Sequence, residues 1–265
     1  KHIEDLHDLG YLPIKISTLP EGSLVPMRVP VMTIENTHDD FFWLTNFLET
    51  ILSTSIWLPT TSATLAYSYR KVLNDYAIKT TGSTSGVEFQ GHDFSMRGMS
   101  SEQSATVSGA GHLLSFKGTD TIPSILFLEK YYNGNIEKSL IGASIPATEH
   151  SVMCSYGQEN EKDLLTHLLT EVYPSGLFSA VCDTWDFWKL VSEYLPELKE
   201  TIISRDGKLV IRPDSGNPVD IICGTVLTDG KTPEEKGLVE VLYEIFGGQT
   251  NELGFKVLDS HIGAI

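Results

Sequence analysis

The chain is short of basic residues: 19 Lys and Arg stand against 35 Asp and Glu, for a formal charge of −16. Binding a nucleic-acid backbone takes a concentrated basic stripe, and none is present, so nucleic acid is not an expected partner. An anionic substrate would need local Arg and Lys clusters, Mg²⁺, or basic residues outside this chain to overcome the global field. Cysteine is scarce as well. Cys154, Cys182 and Cys223 are odd in number, far apart and outside any C-x-x-C spacing. That argues against a disulfide framework or a zinc cluster and fits a reducing cytosol. No run approaches the roughly 18 apolar residues that span a bilayer, and the polar start Lys1-His2-Ile3-Glu4-Asp5 has neither signal-peptide nor transit-peptide character. A soluble chain is expected. Also missing are a G-x-x-x-x-G-K-[ST] loop, a strand-linked G-x-G-x-x-G and two histidines alternating on a first strand, which leaves P-loop, Rossmann and zinc amidohydrolase sites unsupported.

What is present begins with a rhythm. Short apolar runs at 87–89, 113–116, 143–145, 177–181 and 209–211 each precede polar residues, namely His92 and Asp93, Asp120, Glu149 and His150, Asp183, and Asp214; a run at 255–258 starts a last segment. The gaps of roughly 30 residues suit a strand plus its crossover helix. The stretch 158–173 keeps a helical apolar period through Leu164, Leu165, Leu168 and Leu169, and 184–198 does the same through Phe187, Leu190, Val191 and Leu195. A further helix is expected from a Thr232 N-cap, with Pro233 at its first position, to a stop at Gly247-Gly248. Alternation of this kind implies an α/β fold with parallel strands, and polar residues at successive strand ends favour a (β/α) barrel with its site at the carboxyl ends. An open doubly wound sheet is the alternative.

Residues 1–81 differ. The segment 12–30 is rich in Pro, Gly and β-branched residues, which predicts short strands and turns. Asp39-Asp40 opens a helical stretch expected to break near Pro59, with a second helix over 64–78 ending at Gly82. The run 80–86, Thr-Thr-Gly-Ser-Thr-Ser-Gly, marks the expected junction between part of an α/β domain (1–81) and a partial barrel (82–265). Eight strands need two more strand–helix units than the chain supplies, so a fragment, or a protein that continues past residue 265, is expected.

The segment Leu209 to Pro218 concentrates the chemistry. A buried-strand pattern runs into Arg212, a planar and permanently charged donor set for phosphate or carboxylate oxygens, and then Asp214, which points to the same side and can accept from a ribose diol. Asn217 and Pro218 read as N-cap and first residue of a helix whose free N–H groups face an anion. A surface turn with an Arg–Asp ion pair is the alternative. His92-Asp93 joins a histidine and a carboxylate; the competing reading has Asp93 capping a helix and His92 packed. Phe94 can stack on a flat heteroaromatic ligand with Arg97 beside it. Asp120 can accept from a carboxamide N–H₂ or, alternatively, cap the next helix, and the glycine before it, Gly118, lies where backbone must approach something closely. Glu149-His150 offers a base or phosphoryl acceptor, against a buried and merely hydrogen-bonded histidine. Asp183 and Asp186 could serve Mg²⁺ or cap the following helix, and capping is favoured for Asp186.

Seven segments in order, Leu19 to Gly22, Thr33 to Thr37, Trp43 to Asn46, His92 to Gly98, Phe116 to Thr121, Pro146 to Ser151 and Ile211 to Pro218, resemble the nicotinamide phosphoribosyltransferase family over essentially the whole chain. The resemblance implies an irregular (β/α) barrel of the type II phosphoribosyltransferase kind with an additional α/β domain. It implies a cytosolic, Mg²⁺-dependent homodimeric pentosyltransferase of NAD biosynthesis, with shared active sites, that makes nicotinamide mononucleotide and pyrophosphate from nicotinamide and phosphoribosyl pyrophosphate. By position, Phe94 resembles the ring that stacks on nicotinamide, Asp120 the carboxamide acceptor and Arg97 a neighbour of the pyridine and phosphate. Arg212 and Asp214 resemble the pair at ribose and pyrophosphate. His150 resembles the histidine phosphorylated from ATP, an optional coupling substrate, with Glu149, Asp183 and Asp186 as its acidic surroundings. No residue is assigned to a metal directly; Mg²⁺ is expected through pyrophosphate. The family's amino-terminal segment with a second aromatic plate, and its carboxyl-terminal ribose and 5′-phosphate residues, are not among these positions, so the isolated chain is expected to be inactive or poorly folded. The rivals are a nicotinate phosphoribosyltransferase, against which the carboxylate of Asp120 argues by repelling an acid, and a non-catalytic pyridine-nucleotide-binding barrel protein.

Overall fold

The computed structural model describes residues 1–265, which form two compact units interleaved along the chain. One comprises 1–68, 93–115 and 121–136; the other comprises 69–92, 116–120 and 137–265. No single junction near residue 81 separates them, because one helix, Leu44–Thr81, contributes to both.

In the first unit a helix, His2–Leu9, is closed by Gly10 in the left-handed conformation, where a side chain would be strained. Strands β1 (Ile14–Thr18) and β2 (Met32–Asn36) then pair antiparallel, with Ile16 opposite Ile34. The break expected near Pro59 does not occur: the helix runs for 38 residues with Pro59 inside it. A proline removes one amide donor and crowds the preceding turn, so an interior proline needs outside support. The helix Glu102–His112 provides that support. Gly111 lies so close that a Cβ there would come within 2.6 Å of the Pro59 carbonyl oxygen, and Ser62 Oγ donates to the Ser108 carbonyl at 2.6 Å. The same helix uses Gly109 against Ser124, whose hydroxyl donates to the Thr106 carbonyl at 2.9 Å. Its small residues let two neighbouring helices approach at backbone distance.

The second unit combines parallel strand pairs with an antiparallel hairpin. Short strands β3 (His92–Asp93) and β4 (Gly118–Thr119) begin it. The apolar runs at 87–89 and 113–116, expected to be the strands themselves, instead form a 3₁₀ turn and the turns after a helix. The reason is steric. A Cβ at Gly91 would lie 2.7 Å from the Phe116 ring, and one at Gly118 would lie 2.8 Å from Nδ1 of His92. Each glycine therefore receives a ring from the neighbouring segment, and that interlock places the strands beyond the apolar clusters.

Gly118 bridges Ala143 in parallel and Ala147 bridges Ser179. Strand β5 (Ser175–Val181) lies parallel to β6 (Asp206–Arg212), with Phe178 opposite Leu209 and Val181 opposite Arg212. The segment 255–258 does not start a parallel strand as expected: β7 (Gly248–Thr250) and β8 (Lys256–Leu258) form an antiparallel hairpin. Asn251 turns the chain there, its side-chain oxygen accepting from the amides of Leu253 and Phe255. Strand β9 (Ile262–Ala264) then joins β6 in parallel.

The expected helices over 158–173 and 184–198 are present, each passing from α into π geometry. Thr232 caps its helix with a full capping box, but Gly237, at φ 82°, divides the expected single helix into Pro233–Lys236 and Leu238–Phe246. Backbone packing decides this break, since a Cβ on Gly237 would meet the Gly224 nitrogen at 2.2 Å. Leu165, Leu169, Phe178, Leu190, Leu209, Ile211, Leu238 and Leu242 form the buried centre of this unit. Each such side chain contributes about 1.5–3 kcal/mol by leaving water. The result is a mixed α/β architecture, and no helix is long and apolar enough to cross a membrane.

Candidate active site

Two histidine–carboxylate pairs lie at the ends of the parallel strands in the second unit. In the first, His92 Nε2 meets Asp120 Oδ1 at 2.9 Å, and Ser144 Oγ donates to that same oxygen at 2.6 Å. Partial burial pushes the Asp120 carboxyl up, but the hydrogen bonds from Ser144 and His92, with the charges of His92 and Arg212, outweigh it and hold the group below the ordinary carboxylate range. Asp120 does not cap the following helix, whose N-cap is Thr121. Nor does His92 pair with Asp93, whose Oδ1 accepts from the Ser95 amide at 2.9 Å.

In the second pair, His150 opens the short helix His150–Met153 and its Nε2 lies 3.1 Å from Asp183 Oδ1. The segment before it is stitched to β5: the Thr148 amide donates to the Ser179 carbonyl at 3.0 Å, and Thr148 Oγ1 accepts from the Val181 amide at 2.9 Å. Asp183 joins three elements. Its Oδ2 accepts from the Asp214 amide at 2.9 Å and from Ser215 Oγ at 2.6 Å, while Oδ1 faces His150. Burial would raise this carboxyl, yet the bonds from Ser215, the Asp214 amide and His150 bring it below its usual range. Arg212 pairs with Asp214 Oδ1, and Asp214 Oδ2 lies 4.0 Å from His150 Nδ1. Asn217 caps the helix Pro218–Cys223 as expected, accepting from the Val219 amide.

The second unit thus brings Asp120, His150, Asp183, Arg212 and Asp214 to one end of its strands, with the charge of Arg212 felt at Asp120. Asp186 stands apart. It caps the helix beginning at Phe187 through the Lys189 amide and faces the buried Glu161, so it serves local structure and is not in contact with His150. Glu149 occupies the N-cap position before His150 without a side-chain capping bond. Phe94, exposed, stands at the N-cap of a 3₁₀ turn in the first unit, Ser95–Gly98, and Arg97 lies within that turn. Cys182 is fully buried and burial pushes its thiol up, which removes it as a nucleophile.

Sequence reasoning passed over Ser144, Thr148 and Ser215. Serine and threonine are too common for type alone to mark them, and only Ser215, inside the Asp214 to Pro218 turn, carried a positional signal. The buried carboxyl of Glu161 was also missed: its helical position resembles an ordinary acidic first turn.

The match to known proteins follows this geometry. Residues 89–262 match the model of the nicotinate phosphoribosyltransferase (NAPRTase) family, a span that holds every residue of both pairs. The chain belongs to that family. A protein of Acinetobacter baylyi named nicotinamide phosphoribosyltransferase is 51% identical over 100% of this chain and 53% of its own length. Proteins of the same name from Xanthomonas campestris and Mycoplasma pneumoniae are 38% and 39% identical, over 97% and 96% of this chain. The chain spans about half the length of these relatives, 51% to 53%.

Proposed function

We propose that the protein containing this chain is a nicotinamide phosphoribosyltransferase, a pentosyltransferase that joins nicotinamide to the ribose of phosphoribosyl pyrophosphate and releases pyrophosphate. The observation that carries the reading is the ionised Asp120 carboxylate, tethered at one oxygen and open at the other. It accepts from the carboxamide N–H₂ of nicotinamide and repels the carboxylate of nicotinate. In the reaction the pyridine nitrogen bonds to the ribose anomeric carbon as the bond to pyrophosphate breaks, through an oxocarbenium-like centre. Asp120 orients the pyridine. Asp214 holds the ribose diol, and Arg212 meets leaving-group oxygens as their charge grows.

His150, exposed and braced by Asp183, serves as the phosphoryl acceptor in ATP coupling, with Glu149 at the edge of that region. Mg²⁺ fits this donor set as an ion carried by the pyrophosphate oxygens, with the Asp214 carboxylate beside Arg212 as an oxygen donor that could meet it. When bound it supplies charge neutralisation to the leaving group. The parallel pairings that link β4, residues 143–147, β5, β6 and β9 support an irregular type II barrel joined to part of an α/β domain; the proposal extends to a cytosolic homodimer with shared active sites.

The test is to incubate the intact protein with nicotinamide, phosphoribosyl pyrophosphate and Mg²⁺, with and without ATP, and to follow nicotinamide mononucleotide by chromatography. Formation of that product, faster with ATP, is expected. Absence of product, or preference for nicotinate, would overturn the assignment.

A further inference from the structure

Both donors to Asp120 converge on one oxygen. His92 Nε2 and Ser144 Oγ each reach Oδ1, at 2.9 and 2.6 Å, and Oδ2 takes no bond from the protein. A free carboxylate turns about its terminal torsion and exchanges its two oxygens readily; two donors on one oxygen stop that exchange. The donors come from separate places in the strand array. His92 is seated on the bare backbone of Gly118, where a Cβ would strike Nδ1 at 2.8 Å. Ser144 follows Ala143, which bridges Gly118 in parallel. Three adjacent segments therefore fix one carboxylate plane, and elements of this kind hold a group more rigidly than a loop does.

We propose that His92 and Ser144 are positioning residues that tether Asp120 by Oδ1, present Oδ2 as the sole acceptor, and thereby set the preference for an amide over an acid on the pyridine ring. The inference rests on the functional reading above. Negative charge alone would disfavour nicotinate wherever the carboxylate pointed; productive capture of the amide depends on where Oδ2 points.

The two contributions separate in variants of the intact protein that keep Asp120. Ser144→Ala removes a donor and Ser144→Thr keeps one; His92→Leu removes the other and His92→Gln retains an N–H. For Ser144→Ala and His92→Leu, kcat/KM with nicotinamide is expected to fall about tenfold, the scale of one hydrogen bond to a charged group. The nicotinamide-to-nicotinate ratio falls with it. Ser144→Thr and His92→Gln recover most of both. The charged groups facing Asp120 are His92 and Arg212. Both persist in the Ser144 variants, so the acid limb of the nicotinamide pH profile should move to higher pH in Ser144→Ala and stay in place in Ser144→Thr. An unchanged ratio and an unchanged acid limb in Ser144→Ala would overturn the proposal. Should His92→Leu fail to fold, the two Ser144 variants decide alone. Failure of the unaltered protein to use nicotinamide would instead remove the functional reading, a separate outcome.

Discussion

The two histidine–carboxylate pairs are alike in bond length and opposite in exposure. In His92–Asp120 the imidazole is 11% exposed and the carboxylate 44%; in His150–Asp183 the imidazole is 48% exposed and the carboxylate 6%. The buried partner is the one that orients and the exposed partner is the one that can meet a ligand. One pair therefore offers an acceptor and the other a nucleophilic or basic nitrogen, from the same two residue types.

The largest effect is expected from breaking the second pair at its buried member. Asp183→Ala removes the acceptor of the Asp214 amide and the Ser215 hydroxyl and leaves His150 unbraced. We expect kcat/KM to fall about 10²–10³-fold, the scale of a lost preorganised polar contact, in steady-state assays of the intact protein. Full activity would mean that Asp183 does not orient the site. The same group makes a pH prediction. Its folded pKa lies below the ordinary value, so its contribution to stability is present above the unfolded carboxylate pKa and is lost as pH falls through the folded one. Acid titrations followed by circular dichroism should show that loss in the parent and not in Asp183→Asn.

The first pair is tested through its glycine seat. Gly118→Ala puts a methyl within 2.8 Å of both the His92 ring and the Gly91 carbonyl oxygen. Overpacking of this kind costs about 1–3 kcal/mol, readable as a lower urea midpoint. An unchanged midpoint would show that the His92 seat is loose.

A buried carboxyl outside both pairs sharpens the contrast. Glu161 is buried, and burial together with the nearby Asp186 charge, against a smaller opposing effect of Lys189, pushes it up to about 7. With the folded pKa raised, stability is greatest below the unfolded glutamate pKa and declines as pH climbs through about 7. Glu161→Gln should flatten that decline, gaining about 1–3 kcal/mol at pH 8 by urea titration. A parent whose stability is flat over that range would refute it. The smallest effect is local: Thr232→Ala loses the capping box and about 1 kcal/mol, read from the same titrations.

Features carried by local chemistry were legible in the chain. The apolar period of 158–173, the Asn217-Pro218 and Thr232-Pro233 helix starts and strands β5 and β6 all follow from residue type and spacing within a few positions. Family membership was legible too, because several short motifs keep their order. Features that depended on a distant surface were not. Pro59 sits inside a long helix against which Gly111 packs, and the 233–246 helix breaks where Gly237 meets Gly224. Both outcomes turn on contacts between residues far apart in the chain, where no local pattern reaches.

Among the site residues, the amino-acid order was enough to nominate Asp120, His150, Arg212 and Asp214, since their chemistry and strand-end positions are written locally. Folding alone settled which partner each acquires: His92 turns to Asp120 and not to its neighbour Asp93, Asp183 joins the histidine while Asp186 caps a helix, and Ser144 and Ser215 become donors. A hydrogen bond needs atoms within about 3 Å, and that proximity is created by strand pairing and glycine packing.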